Sequence, residues 1–96
     1  MNFLITGCAG FIGFHVANSI LQTHKNAKII GLDNLDNYYS VYLKKKRLKI
    51  LKKNKKFKFY KIDLINKKKI KNLFKKFKID IVIHFAAQAG VRYSLV

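Results

Sequence analysis

The stretch from Asn2 to Gly13, NFLITGCAGFIG, restricts what this chain can fold into more than any other part of it. An apolar run, Phe3-Leu4-Ile5, leads into Thr6-Gly7; glycines recur at Gly7, Gly10 and Gly13, and an amphipathic segment follows. Strand, glycine-rich turn and helix start, in that order, make a cradle for phosphate. Gly7 permits the tight turn, Gly10 lets backbone approach a pyrophosphate, and Gly13 lets the helix pack closely on the strand. The start of the helix then presents N–H groups and partial positive charge to an anion. Asp33 lies 20 residues beyond Gly13, at the end of the run Ile29-Ile30-Gly31-Leu32, where an acid binds the hydroxyls of an adenosine ribose. The two halves together point to a dinucleotide; a structural glycine turn without a ligand is the alternative. A carboxylate at position 33 accepts from a free 2′-hydroxyl and repels a 2′-phosphate, which favours NAD over NADP.

The rest of the chain alternates. Residues 3–6 read as a buried parallel strand. Residues 11–24 read as a helix whose inward stripe is Ile12, Val16 and Ile20, adjoined by Ala17 and Leu21. A second strand spans 29–32. The polar segment 33–39 after it is either a wall of the adenosine pocket or a turn with a helix cap at Asn37 or Ser40. Residues 40–53 form a basic helix with Val41, Leu48 and Leu51 on one face. A third strand, 57–62, ends in Asp63-Leu64, where Asp63 contacts adenine or caps a helix. Residues 66–77 form a helix with Ile70, Leu73, Phe74 and Phe77 inward, and a fourth strand spans 79–85. This β-α-β-α-β-α-β order with right-handed crossovers predicts an α/β, doubly wound parallel sheet of about four strands in the order 3-2-1-4, in one domain.

The formal net charge of +17 raises the question of nucleic acid. The whole excess lies between Lys44 and Lys78, where 17 Lys and Arg47 face the single acid Asp63. Phosphate and base recognition recruits the bidentate fork of Arg, whereas this block is almost pure Lys. A solvated basic surface is expected, with a polyanion-binding face as the alternative. Cys8 is the sole cysteine, so an internal disulfide is impossible and a reducing, cytoplasmic setting is expected. It fits the turn as a small residue. His15 and His24 read as helix-surface residues, and no metal site is expected. Neither a signal peptide nor a membrane-spanning run is legible.

TGCAGFIG, Asp33-Asn34, Asp63-Leu64 and HFAAQAG together resemble the extended short-chain dehydrogenase/reductase family, the NAD-dependent epimerases and dehydratases of nucleotide sugars. The resemblance covers essentially the whole chain and implies the N-terminal part, residues 1–96, of a Rossmann-type NAD-binding domain. HFAAQAGVRYSL and GLDNLDNYYSVYLKKKRL are most similar to the UDP-glucuronate 4-epimerase branch. Carried over by position, the resemblance implies that Gly7, Gly10 and Gly13 hold the pyrophosphate, helped by the backbone of Phe11 and Ile12. It implies that Asp33 binds the ribose with Asn34 and Asn37 nearby, that Asp63 and Leu64 flank the adenine, and that Ala86, Ala87 and Gln88 line the nicotinamide side. Gly90, Val91 and Arg92 would face the sugar nucleotide, a UDP-hexuronate; Arg92 would pair with a carboxylate or phosphate, or else stand as a surface charge.

The resemblance also implies a Tyr-x-x-x-Lys base pair on a helix after a fifth strand. The chain ends before that point. Tyr42 and Lys46 have the spacing but sit in a lysine run after the second strand, so no catalytic residue is expected among these 96. A longer form is expected to be a homodimer serving polysaccharide synthesis. The 96 residues alone are expected to be inactive, with open sheet edges and marginal stability. Another NAD-dependent sugar-nucleotide epimerase or a 4,6-dehydratase is the alternative within the family; a stand-alone NAD-binding remnant or a Lys-rich polyanion binder is the alternative outside it.

Overall fold

The computed structural model describes residues 1–35 and 41–85. Its elements are β1 (Asn2–Thr6), α1 (Phe11–Thr23), β2 (Lys28–Asp33), α2 (Val41–Lys52), β3 (Phe57–Lys61), α3 (Lys67–Lys76) and β4 (Ile81–His84). The sheet is parallel throughout in the order β3-β2-β1-β4, as the alternation of the sequence predicts.

Side chains leave a strand on alternate faces, and this divides the core in two. Phe3, Ile5, Ile29 and Phe57 point to the side covered by α1 and α2, where they meet Ala17, Leu21, Leu48 and Leu51. Leu4, Ile30 and Leu32 point to the other side, where Leu73 of α3 and Ile62 close over them. β1 and β2, the central strands, are therefore apolar through their middle positions, Phe3 to Ile5 and Ile29 to Leu32.

Two helix faces differ from expectation. In α1 the buried residues are Gly13, Phe14, Ala17 and Leu21, while Ile12 is 60% exposed. Val16 and Ile20 pack only at the margin of the core. The cause is backbone contact: a Cβ at Gly13 would stand 2.2 Å from the carbonyl oxygen of Gly7. The closest approach to the sheet thus falls on the stripe Gly13-Ala17-Leu21 rather than on Ile12-Val16-Ile20. In α3, Leu73 is buried with Ile70 and Phe77 against the same cluster, whereas Phe74 is 46% exposed. The Asn66 side chain caps this helix, accepting from the Lys69 N–H at 3.2 Å.

Polar contacts tie β1 to the far end of the chain. The Asn2 N–H donates to Asp80 Oδ2 at 2.8 Å, and the Asn2 side-chain amide donates to the Lys78 carbonyl at 2.7 Å. At the other end of the strand, the Phe85 N–H donates to Thr6 Oγ1 at 3.0 Å. β4 is an outer strand and leaves Ile81 and Val82 exposed. No helix among the described residues is long and apolar enough to cross a membrane.

Candidate functional site

The candidate site lies where β1 and β2 end. The N–H groups of Gly7 and Cys8 both donate to the Leu32 carbonyl, at 2.8 and 3.2 Å, so the turn hangs from the end of β2. Gly7 has φ 71°, in the left-handed region that glycine adopts without strain. The Gly10 N–H turns back to the Gly7 carbonyl at 3.0 Å. Gly10 stands at the N-cap of α1 and offers no side chain to it. The N–H groups of the first helical turn have no intrahelical partners by construction and are aimed at the opening of the turn. Phe11 and Ile12, both largely exposed, flank that opening.

This arrangement fits a pyrophosphate. The floor of the turn is bare backbone, and a Cβ at Gly10 or Gly13 would crowd the Gly7 carbonyl, at 3.3 and 2.2 Å respectively. Cys8 is fully buried beneath the turn, and its burial, with the charge of Asp33 adding to it, pushes the thiol pKa far up. Cys8 is a small packing residue and not a nucleophile.

Asp33, the last residue of β2, is buried beside the turn. Its Oδ2 accepts from the Ala9 N–H at 3.1 Å and its Oδ1 from the Leu35 N–H at 2.8 Å. The second bond holds Leu35 at φ 54°, a conformation that costs a non-glycine residue about 1–2 kcal/mol. Lys44 Nζ lies 3.6 Å from Oδ1, and both side chains are buried. A carboxylate offers roughly four acceptor positions, so ribose hydroxyls could be accommodated beside these donors. Asn34 then reaches toward Asp63, its amide 3.5 Å from Oδ2. Asp63 is exposed and spends Oδ1 on the Ile65 N–H at 3.1 Å, which shapes its own turn; capping of α3 falls to Asn66. Leu64 packs at the edge of the α3-side core.

The fold therefore gathers Gly7, Gly10, Phe11, Ile12, Gly13, Asp33, Asn34, Asp63 and Leu64 at the carboxyl end of the sheet. Asn37, Ala86, Ala87, Gln88, Gly90, Val91 and Arg92 lie outside the described residues. Tyr42 is 67% exposed, with Lys46 Nζ 5.0 Å from its ring centroid, over the ring face.

Two residues of the site were not singled out from the sequence. Lys44 belongs to the lysine block read as solvated, yet it is buried in an ion pair. Arg47 Nη1 donates to the Ala9 carbonyl at 3.1 Å. A signal for Lys44 existed in its spacing: it lies four residues before Leu48 and seven before Leu51, on the inward face of α2.

Residues 4–96 match the family described as GDP-mannose 4,6 dehydratase. A UDP-glucuronate 4-epimerase of Thermodesulfobacterium geofontis is 48% identical over 93 residues, 97% of this chain and 28% of that protein. The UDP-glucuronic acid 4-epimerase of Bacillus cereus, solved with UDP-glucuronic acid and NAD, superposes with a TM-score of 0.81 at 34% identity, covering 100% of this chain and 29% of that one. The dTDP-glucose 4,6-dehydratase of Bacillus anthracis, solved with NAD, gives a TM-score of 0.82 at 28% identity over 93% of this chain and 27% of the other. The chain thus spans less than a third of the length of these relatives. A glycine turn hung on β2, an acid at the end of that strand and a match over nearly every residue agree: the chain belongs to the family of NAD-dependent nucleotide-sugar epimerases and dehydratases.

Proposed function

We propose that this chain is the front half of an NAD-binding domain, and that it binds the adenosine diphosphate portion of NAD. The observation that carries this reading is the Ala9 N–H to Asp33 Oδ2 bond of 3.1 Å, which sets the ribose-binding acid against the phosphate turn. The backbone of Gly7, Gly10, Phe11, Ile12 and Gly13 receives the pyrophosphate, and Asp33 and Asn34 receive the ribose. Asp63 and Leu64 border the adenine. Ala86, Ala87 and Gln88 serve the nicotinamide side, and Asn37 the ribose loop. NAD supplies a hydride acceptor; these residues bind and orient it and exclude a 2′-phosphate.

In a longer protein the reaction would be C4 epimerisation of a UDP-hexuronate, with Gly90, Val91 and Arg92 toward the sugar. Support comes from the 48% identity to a UDP-glucuronate 4-epimerase. A 4,6-dehydratase is the second reading, favoured by an equally good superposition with TM-score 0.82. The proposed setting is cytoplasmic polysaccharide synthesis by a homodimer.

Calorimetric titration of the chain with NAD and NADP tests the binding step. NAD is expected to bind at least about tenfold more tightly, the discrimination of one buried carboxylate against a phosphate. Equal affinity for both would overturn the role given to Asp33, and no binding of either would overturn the function.

A further inference from the structure

We propose that Arg47 is a positioning residue for the phosphate turn, acting from α2 on the turn between β1 and α1 through the Ala9 carbonyl. This inference rests on the NAD reading for its ligand but not for its geometry. Ala9 is held at both ends of its backbone: its N–H donates to Asp33 Oδ2 at 3.1 Å and its carbonyl accepts from Arg47 Nη1 at 3.1 Å. The carbonyl of Ala9 and the N–H of Gly10 belong to one peptide unit and point in opposite directions. With the carbonyl turned out to Arg47, the Gly10 N–H turns in and donates to Gly7 at 3.0 Å.

A peptide preceding a glycine flips with little steric cost, because Gly10 has no Cβ to oppose it. The flipped form would break the Gly10–Gly7 bond and set the Ala9 carbonyl oxygen against that of Gly7, which distorts the turn that receives the anion. Arg47 selects against that form with a charge-assisted hydrogen bond. Its guanidinium carbon also lies 5.9 Å from the centroid of the Phe11 ring, so the same side chain steadies the first residue of α1. Asp33 alone could not do this, because it holds only the N–H side of Ala9.

The test uses Arg47→Met, which keeps most of the apolar stem, and Arg47→Gln, which keeps a neutral donor. Affinities for ADP-ribose and for adenosine are measured by calorimetry and competition, and exchange of the Gly10 amide by NMR. R47M is expected to weaken ADP-ribose about tenfold, the size of one hydrogen bond from a charged group. Adenosine, which lacks the phosphates, is expected to change less than about twofold. R47Q should recover most of the loss, and Gly10 exchange should accelerate in R47M while Ala27 exchange does not.

Equal losses for ADP-ribose and adenosine would reduce Arg47 to a general support of the fold and overturn the proposal. R47Q as weak as R47M, with Gly10 exchange unchanged in both, would mean that the charge acts on the phosphates directly, which also overturns it. Should R47M fail to fold, the R47Q comparison and its Gly10 exchange decide alone. Failure of the wild-type chain to bind ADP-ribose would sink the NAD reading; the brace would stand if Gly10 exchange still responded to R47M and fall if it did not.

Discussion

α2 and α3 lie on opposite sides of the sheet, have similar compositions and do different things. α2 and α3 are both lysine-rich and both place few apolar residues inward. α3 covers its side through Leu73, and its lysines stay at the surface, Lys76 lying 5.5 Å from the ring centroid of Phe77. α2 instead drives two cations into the structure, Lys44 onto Asp33 and Arg47 onto Ala9. The α1–α2 side also has backbone packed on backbone at Gly13, which the α3 side lacks among the described residues. Positive charge in this chain is therefore not one property. Where a cation sits relative to the sheet decides whether it solvates the surface or shapes a site.

The contrast can be broken most forcefully at Gly13. A methyl group there would meet the Gly7 carbonyl at 2.2 Å, so Gly13→Ala should cost about 4 kcal/mol, at the far end of single-substitution effects. Urea unfolding followed by circular dichroism measures it. A loss below about 1 kcal/mol would mean that the helix moves away freely and that the two sides are equally plastic.

Lys44 gives the next largest effect. Lys44→Met removes one partner of a buried pair and leaves the Asp33 charge buried with the Ala9 and Leu35 N–H groups as donors, which should cost about 3 kcal/mol. Lys71→Met, on the exposed face of α3, should stay within about 0.5 kcal/mol. Similar losses for the two would erase the distinction between the helices.

The smallest effect concerns pH. Burial raises the Cys8 thiol above its ordinary value of 9.0, so the folded chain keeps the proton when the unfolded chain releases it. The stability contributed by Cys8 is fully present below pH 9.0 and is lost as the pH rises beyond it. The slope approaches about 1.4 kcal/mol per pH unit, the linkage value for one proton. Subtracting the profile of Cys8→Ala cancels the lysine titrations, and a flat difference would show that the thiol under the turn is open to water.

The parts of this architecture that were legible in the sequence are those written in short-range pattern. The apolar runs at 3–5 and 29–32 and the spacing of Gly7, Gly10 and Gly13 required no knowledge of distant residues. The stripe of α1 was misread for a physical reason. A hydrophobicity pattern weighs side chains, and the contact that orients this helix is made by Gly13, which has none. Phe74 was misread because an aromatic at the right period can still sit on the rim of a face when Leu73, with Ile70 and Phe77, fills the space beneath. Lys44 and Arg47 were lost in a block of like charges, since their partners, Asp33 and Ala9, lie beyond the reach of any local pattern. The Asn34–Asp63 contact is of the same kind: both residues were candidates, but their meeting depends on the β2–β3 crossover.

The clasp between Asn2 and Asp80 bears on how the chain is made. β1 is hydrogen-bonded to β2 on one edge and to β4 on the other, and the Asn2–Asp80 pair closes a separation of 78 residues. Such non-local pairing gives a high contact order, and folding slows accordingly. During synthesis β1 emerges first and can pair early with β2, but its second edge must wait until residues 78–85 have left the ribosome. An apolar strand with one open edge is the kind of intermediate that chaperones cover and that aggregates when they do not. Of the four described strands, β1 is made before the others and still waits for β4 to take its second edge.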